Sequence, residues 1–262
     1  MDFGLRISDL SAFGTRRLLV VVGVVAIGAI LVAAGVMLAA PRLAATLAAR
    51  GADAAGQGEL DRALAEYTWA IRLDPRNAAA YLGRGDACRR KHLPDCALAD
   101  LTRAIQLDPQ SAVAYNARGL AYVTAGDYAQ AIADHTRAID LRPLPSFYAD
   151  RAVAYQLSGD YDHALADYTE MLRLDPASTM AYLNRGLLYA GQGNYDRAIA
   201  DYTRAIQLDP KLSDAYLNRA LAHRERDQNV QAIQDLQSYL ALEPNVPNRA
   251  QLEQQIKKLG GP

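Results

Sequence analysis

Large, small and polar residues recur along most of this chain with a single period. A proline closes each copy, and the steps between prolines are 34, 34, 33, 34 and 34 residues: Pro75, Pro109, Pro143, Pro176, Pro210 and Pro244. In a frame that starts 31 residues before each proline, the fourth position is large and apolar: Leu47, Tyr81, Tyr115, Tyr148, Tyr182 and Tyr216. The eighth and twentieth positions are glycine or alanine in every copy. Small residues at fixed intervals from large ones predict helices that pack closely against each other.

Each copy also contains a break near its middle. Glycine occupies this break in four copies, as Gly58, Gly126, Gly159 and Gly193, and the next residue is Glu59, Asp127, Asp160 or Asn194. Glycine commonly ends a helix, and an acidic or amide side chain commonly caps the start of the next one. The closing proline disfavours a helical conformation in the residue before it. Each copy is therefore predicted to fold as helix, turn and helix.

This 34-residue pattern resembles the tetratricopeptide repeat, with tyrosine where the family has tryptophan at the first bulky position. The resemblance implies an all-α fold, a right-handed α-solenoid in which the first helices of the repeats line a concave groove. Six repeats are predicted, over residues 44–75, 78–109, 112–143, 145–176, 179–210 and 213–244. Residues 245–262 are predicted to form a capping helix and tail, because Ala250, Leu252, Ile256 and Leu259 alternate with polar side chains.

A long uncharged stretch precedes the repeats. Residues 18–40 contain no charged side chain and follow a short N-terminal segment, 1–17. As a helix, 23 residues would be about 35 Å long, enough to cross a bilayer. The stretch is longer than the apolar core of a cleavable signal peptide, and Pro41 and Arg42 follow it in place of a small-residue cleavage site. We predict an uncleaved transmembrane helix; the alternative is cleavage, which would give a secreted soluble protein.

The charges on either side of this stretch predict its orientation. Arg6, Arg16 and Arg17 precede it, and Arg42 and Arg50 follow it. Positive charges favour the cytoplasmic side of a membrane. The N-terminus is therefore predicted to be cytoplasmic and the repeats to be periplasmic or otherwise extracytoplasmic.

Every copy also supplies one arginine and one acid. The seventh position is arginine throughout, and the twenty-third is Glu66, Asp100, Asp134, Asp167, Asp201 or Asp235. A row of acids could be catalytic or bind metal, but recurrence in every copy favours an ion pair that each repeat needs for its structure. Phosphate-binding loops and nucleophile elbows are missing from the sequence, and the four histidines fall in different repeats. We predict no enzyme, cofactor, metal site or small-molecule substrate, and the net charge of -1 argues against nucleic acid.

Repeat two departs from the others at its turn. Cys88 and Cys96, the only cysteines, flank a basic cluster over residues 89–92. They could form a disulfide in an oxidising compartment, but the nineteenth position, occupied by Cys96, is polar in the other repeats and is expected to face outward. The basic cluster is either a solvated loop or a contact for an acidic partner or anionic lipid. Trp69, the only tryptophan, is predicted to pack inside repeat one.

The resemblance also implies where a partner would bind. In the family, positions 2, 5, 6, 9 and 12 of the first helix face the groove. In repeats three to six these positions include Val113, Asn116, Leu120, Val123, Asp150, Val153, Gln156, Met180, Leu183, Asn184, Leu187, Leu217, Asn218, Leu221 and Arg224. We expect the leucines and valines to bury apolar side chains of a partner peptide or helix, and Asn116, Asn184 and Asn218 to bond its backbone. The fifth position lacks the lysine that the family uses to clamp chaperone tails.

Together these features predict a membrane-anchored scaffold or adaptor that binds another protein through its groove. The membrane would be reached through residues 18–40. The alternative is a structural element that assembles with copies of itself at a membrane.

Overall fold

The computed structural model describes residues 40–260, which form thirteen α-helices and no β-strand. The chain divides into two compact units, with the boundary between Asp108 and Pro109. Each unit is a stack of antiparallel helix pairs, the architecture of an all-α solenoid. The predicted N-terminal segment 1–17 and the predicted span 18–40 lie outside the described residues, apart from residue 40. Within residues 40–260, every helix is too short or too polar to cross a bilayer.

The described part of the first unit, residues 40–108, contains four helices. Helix α1 occupies residues 40–56, and it is followed by α2 (Leu60–Leu73), α3 (Ala78–Arg90) and α4 (Pro94–Leu107). Tyr67 of α2 is buried in a cluster made mainly of alanines, which includes Ala44, Ala48, Ala63 and Ala70. Alanine forms helix readily but buries little surface. Tyr67 is therefore the largest buried side chain of this small core.

The second unit contains nine helices. These are α5 (Ala112–Ala125), α6 (Tyr128–Leu141), α7 (Pro145–Ser158), α8 (Tyr161–Leu174), α9 (Thr179–Gly191), α10 (Tyr195–Leu208), α11 (Ser213–Glu225), α12 (Asn229–Leu242) and α13 (Arg249–Lys258). Leu252 and Ile256 of α13 pack on Leu236, Tyr239 and Leu240 of α12. The last helix therefore covers apolar surface that a further repeat would otherwise bury.

The turns inside the repeats follow the predicted chemistry where a glycine is present. Gly126 and Gly159 have φ of +80° and +85°, and they end α5 and α7 in the left-handed conformation. The side chains of Asp127 and Asp160 then accept hydrogen bonds from backbone N–H groups in the first turns of α6 and α8. Repeats two and six lack the glycine, and His92 and Asp227 adopt φ of +56° instead. The turn geometry is thus kept even where the residue that favours it is absent.

The small residue at the eighth position lies directly against the large residue at the twenty-fourth. A Cβ atom on Gly186 would come within 2.6 Å of the Tyr202 ring, and one on Gly119 within 2.7 Å of the His135 ring. Such distances are too short for any side chain unless the ring moves. The predicted interlocking of small and large residues is confirmed, with His135 serving as the large group of repeat three.

The recurring arginines and acids form ion pairs between the two helices of each repeat, as predicted. In repeats two to six the arginine donates from both Nε and Nη2 to the two carboxylate oxygens, at 2.6–2.9 Å: Arg84–Asp100, Arg118–Asp134, Arg151–Asp167, Arg185–Asp201 and Arg219–Asp235. Repeat one has the pair Arg50–Glu66 at 2.7 Å. A third bond links neighbouring repeats within a unit, as when Arg185 Nη1 donates to the Thr169 hydroxyl at 3.1 Å. The acid of each repeat is therefore engaged by the arginine of the same repeat.

The turn of repeat two is held by a disulfide and by contacts with repeat one. Cys88 and Cys96 form a disulfide between the end of α3 and the first turn of α4, with a Cα–Cα distance of 5.9 Å. The basic cluster is not simply solvated: Arg90 donates to the Ala55 carbonyl at 2.9 Å, and Lys91 pairs with Asp61. Both partners belong to repeat one. The cluster therefore fastens repeat two to repeat one.

Candidate functional site

An apolar surface runs along the first helices of the second unit. Val153 of α7, Leu187 of α9 and Leu221 of α11 occupy the ninth position of consecutive repeats, and all three side chains are exposed. Val113 of α5 and Met180 of α9, both at the second position, are exposed as well. Leu120 and Val123 are partly buried. We call Val113, Val153, Met180, Leu187 and Leu221 the apolar surface.

Two of the predicted groove residues do not face solvent. Leu183 is only 6% exposed because it belongs to the core formed with Ala198, Tyr202 and Ala205. Asn116 is 9% exposed, its amide N–H₂ donates to Asp150 at 2.8 Å, and its oxygen lies 2.8 Å from Nδ1 of His135. Packing and internal hydrogen bonds already occupy these two side chains, so neither is exposed in the way that the predicted groove requires.

Other predicted groove residues are partly engaged within the unit. Gln156 accepts a hydrogen bond from the Tyr168 hydroxyl at 2.8 Å, and burial raises the pKa of Tyr168 to about 12. Asn184 lies near the same hydroxyl and lowers the pKa of Tyr168, an effect smaller than that of burial. Leu217 packs partly against the core near Ala220, whereas Asn218 is partly exposed. Of the three asparagines predicted to bond a partner's backbone, Asn184 and Asn218 therefore border the apolar surface without being fully buried.

The sequence interpretation missed two exposed apolar residues, Leu157 and Tyr161, of which Tyr161 lies beside Leu187. Leu157 lies one turn beyond Val153 on the same face of α7, and Tyr161 begins α8. Tyr161, Leu187, Leu188, Gly191 and Gln192 line a cavity of about 220 Å³. The frame contained a signal for Leu157, because the same position in other repeats is Arg90, Thr124, Gly191 or Glu225. A leucine at an otherwise small or polar position is unusual in this chain.

Charges are sparse on this surface. Asp150 is partly buried and accepts the hydrogen bond from Asn116, and Arg224 pairs with Glu225 at 3.0 Å. The surface can therefore bury apolar side chains of a partner, provided that Asp214, exposed at the second position of repeat six, keeps its water. It is suited to binding an apolar segment of another molecule.

One cluster of metal-binding side-chain types exists in the described residues. Cys88, Cys96 and Asp100 have ligand atoms within 4.8 Å of one another. The two cysteines are bonded to each other, and Asp100 accepts two hydrogen bonds from Arg84. A metal would need thiolates, which this disulfide does not offer.

Sequence models of known families identify the repeats. Four models described as tetratricopeptide repeat match the chain. One matches residues 48–112, one matches both 101–133 and 201–234, and the other two match 145–178 and 180–212. The chain carries tetratricopeptide repeats. Such repeats form scaffolds for protein–protein interaction, which agrees with the apolar surface on the first helices. Curated proteins gave no match to the sequence.

Solved structures of other proteins share the fold. The crystal structure of YrrB, described as a protein with an unusual peptide-binding site, is 21% identical, covers 73% of this chain and 97% of its own, and has a TM-score of 0.60. MamA is 28% identical over 62% of this chain and 95% of its own, with a TM-score of 0.57. The pilF protein of Pseudomonas aeruginosa is 15% identical over 82% of this chain and 99% of its own, with a TM-score of 0.69.

Proposed function

We propose that the protein is a membrane-anchored scaffold that holds an apolar peptide or helix of another protein against the apolar surface of its second unit. The observation that carries the proposal is the exposure of Val153, Leu187 and Leu221 at one position of three consecutive repeats. Exposed apolar side chains in register are a common basis for recognising the apolar face of a helix or alternate residues of a peptide. YrrB, which shares the fold, has a peptide-binding site, and we extend that class of ligand to this chain.

Leu187 is the centre of the proposed contact. It lies two turns after Met180 on the same helix and lines the cavity together with Tyr161 and Gly191. A bulky apolar side chain of the partner would fill this cavity, as anchor residues do at the centre of many interfaces. Asn184, one turn before Leu187 on the same side of α9, would bond the partner's backbone.

We expect Leu187→Asp to reduce recovery of the partner at least tenfold in an affinity purification of the full chain from its native membranes. A tenfold loss corresponds to about 1.4 kcal/mol, a modest effect for a charge placed in an apolar contact. Val230→Asp is the matched control, because Val230 is also exposed and lies on α12, away from the first helices. Equal recovery with both variants, at unchanged helix content by circular dichroism, would refute the proposed surface.

The proposed anchor is the uncharged stretch 18–40, with the repeats outside the cytoplasm. The Cys88–Cys96 disulfide supports this orientation, because disulfides persist in oxidising compartments and are rare in the cytosol. Three arginines precede the stretch, and their charge also favours a cytoplasmic N-terminus.

Reporter fusions after Pro262 test this orientation. We expect an alkaline phosphatase fusion to be active and a fluorescent protein that folds only in the cytoplasm to be dark. The reverse pattern would overturn the orientation. Reversing the charges of Arg16 and Arg17 is expected to weaken the phosphatase signal, since these residues help to keep the N-terminus inside.

A further inference from the structure

Trp69 is exposed to solvent, contrary to the prediction that it packs inside repeat one. Its side chain is 56% exposed, and the Arg72 guanidinium stacks on its ring at 4.8 Å. An exposed tryptophan is costly to hydrate and commonly marks an interaction surface. The same position in the other repeats is charged or polar, as Arg103, Arg137, Glu170, Arg204 or Ser238. Repeat one therefore has an aromatic group where its neighbours have a solvated one.

Trp69 lies toward the end of repeat one at which α1 begins. The Arg50–Glu66 ion pair fixes the register of α1 against α2, and Ala44, Leu47, Ala70 and Leu73 share one apolar cluster. Because the two helices are antiparallel, Trp69 is level with about residue 47 and Arg72 with about residue 44. At about 1.5 Å per residue, Trp69 is at most about 10 Å, and Arg72 about 6 Å, along α1 from residue 40.

This end of repeat one is basic as well as apolar. Arg42, Arg72 and Arg76 are exposed there, against the single acid Asp74, and Leu43 is also exposed. The uncharged sequence 18–40 ends where the described part of α1 begins. If that sequence crosses a bilayer, Arg72 lies within the polar headgroup layer, which is about 5–8 Å thick on each side, and Trp69 lies at the outer border of that layer. Tryptophan and arginine are the residue types favoured at that depth.

We propose that Leu43, Trp69 and Arg72, with Arg42 and Arg76, form a surface that rests on anionic lipid headgroups of the bilayer into which residues 18–40 insert. The arginines neutralise headgroup phosphates, and the Trp69 ring, stacked under Arg72, borders the headgroup layer. The contact holds repeat one against the membrane and so sets the orientation of repeat one relative to the bilayer. This inference rests on the proposed membrane anchor.

The single tryptophan makes the surface directly measurable. The full chain is reconstituted into vesicles of phosphatidylcholine, or of phosphatidylcholine and phosphatidylglycerol at 7:3, each with headgroup-spin-labelled lipid as quencher. We expect Trp69 emission to be quenched, and the loss to be at least twofold larger in the anionic vesicles. Arg72→Glu is expected to abolish the difference between the two vesicles, and Arg62→Glu, which changes an exposed arginine near the other end of α2, to preserve it.

A swap of two residues is the control for depth. In the variant Trp69→Arg with Arg62→Trp, the only tryptophan moves seven residues along the same face of α2, or about 10 Å farther from residue 40. We expect its emission to be insensitive to the quencher. Equal quenching at the two positions, or equal quenching in the two vesicles, would overturn the proposed surface.

Flotation with the vesicles after alkaline carbonate extraction is measured first. A chain that fails to float lacks the anchor, and both proposals then fail. A chain that floats while Trp69 behaves like the tryptophan at position 62 retains the anchor and loses only the lipid-contact surface. The two failures are therefore distinguishable.

Discussion

We expect Arg185→Met to lower the free energy of unfolding by about 3–5 kcal/mol, the usual cost of breaking a buried ion pair by removing one partner. Arg185 donates twice to Asp201, with both distances 2.8 Å, and the two side chains are 18% and 8% exposed. Methionine fills similar volume but leaves the Asp201 carboxylate without its main donors. Arg185 also bonds Thr169 of the preceding repeat, so the variant weakens the stacking between repeats as well.

Urea unfolding of the full chain in detergent, followed by circular dichroism, measures this effect. Arg204→Met is the matched control, because Arg204 is exposed and bonds only Gln207 on its own helix among the described contacts. We expect the control to change the free energy of unfolding by less than about 0.5 kcal/mol. If Arg185→Met stays within about 1 kcal/mol of the control, the ion pairs do not hold the stack together.

The second large effect is a loss of stability in acid that depends on His135. This side chain is fully buried, its Nδ1 lies 2.8 Å from the Asn116 oxygen, and its Nε2 has no hydrogen-bond partner within residues 40–260. Burial, together with the nearby Arg151 charge, lowers the pKa of His135 from 6.5 to about 4. The folded state therefore favours neutral His135. Stability from this group is complete above pH 6.5 and is lost as the pH falls toward 4.

The size of this loss follows from the pKa difference of about 2.5, which corresponds to about 3 kcal/mol. We expect the free energy of unfolding of the wild-type protein to fall by this amount between pH 7 and pH 4, relative to that of His135→Leu. Leucine is chosen because Leu101 and Leu236 occupy the same position in repeats two and six. Carboxylates titrate alike in both proteins, so the difference between their urea midpoints isolates His135. Parallel pH profiles would show that His135 is not the source.

The periodic features of the fold could be predicted from sequence because each is set by a residue type at a fixed position. Gly126 and Gly159 end helices, and arginine at the seventh position pairs with the acid at the twenty-third. His92 shows the limit, since its left-handed conformation is imposed by the repeat around it and not by its own preference. The residues that recur in every repeat determine the backbone and the packing. A residue that departs from the pattern, such as His92, adopts the conformation that they impose.

The candidate site was harder to predict because a position in the frame gives the direction of a side chain but not its partners. Asn116 faces the expected side, yet Asp150, one repeat later, and His135 use both ends of its amide. Leu183 differs from the exposed Leu187 by a single turn of α9 and lies in the core. The chemistry of Trp69 alone favours the core, although the polar residues at its position in other repeats indicate an exposed site.

The central claim is that the exposed apolar side chains of the second unit hold a segment of another protein. Its most direct measurement places a photo-crosslinking amino acid at position 187, or at position 204 on the exposed side of α10, in the full chain in living cells. We predict a discrete crosslinked product of higher mass from position 187, absent from position 204 and lost when Val153→Asp is added. No product from position 187, or the same products from both positions, would contradict the claim.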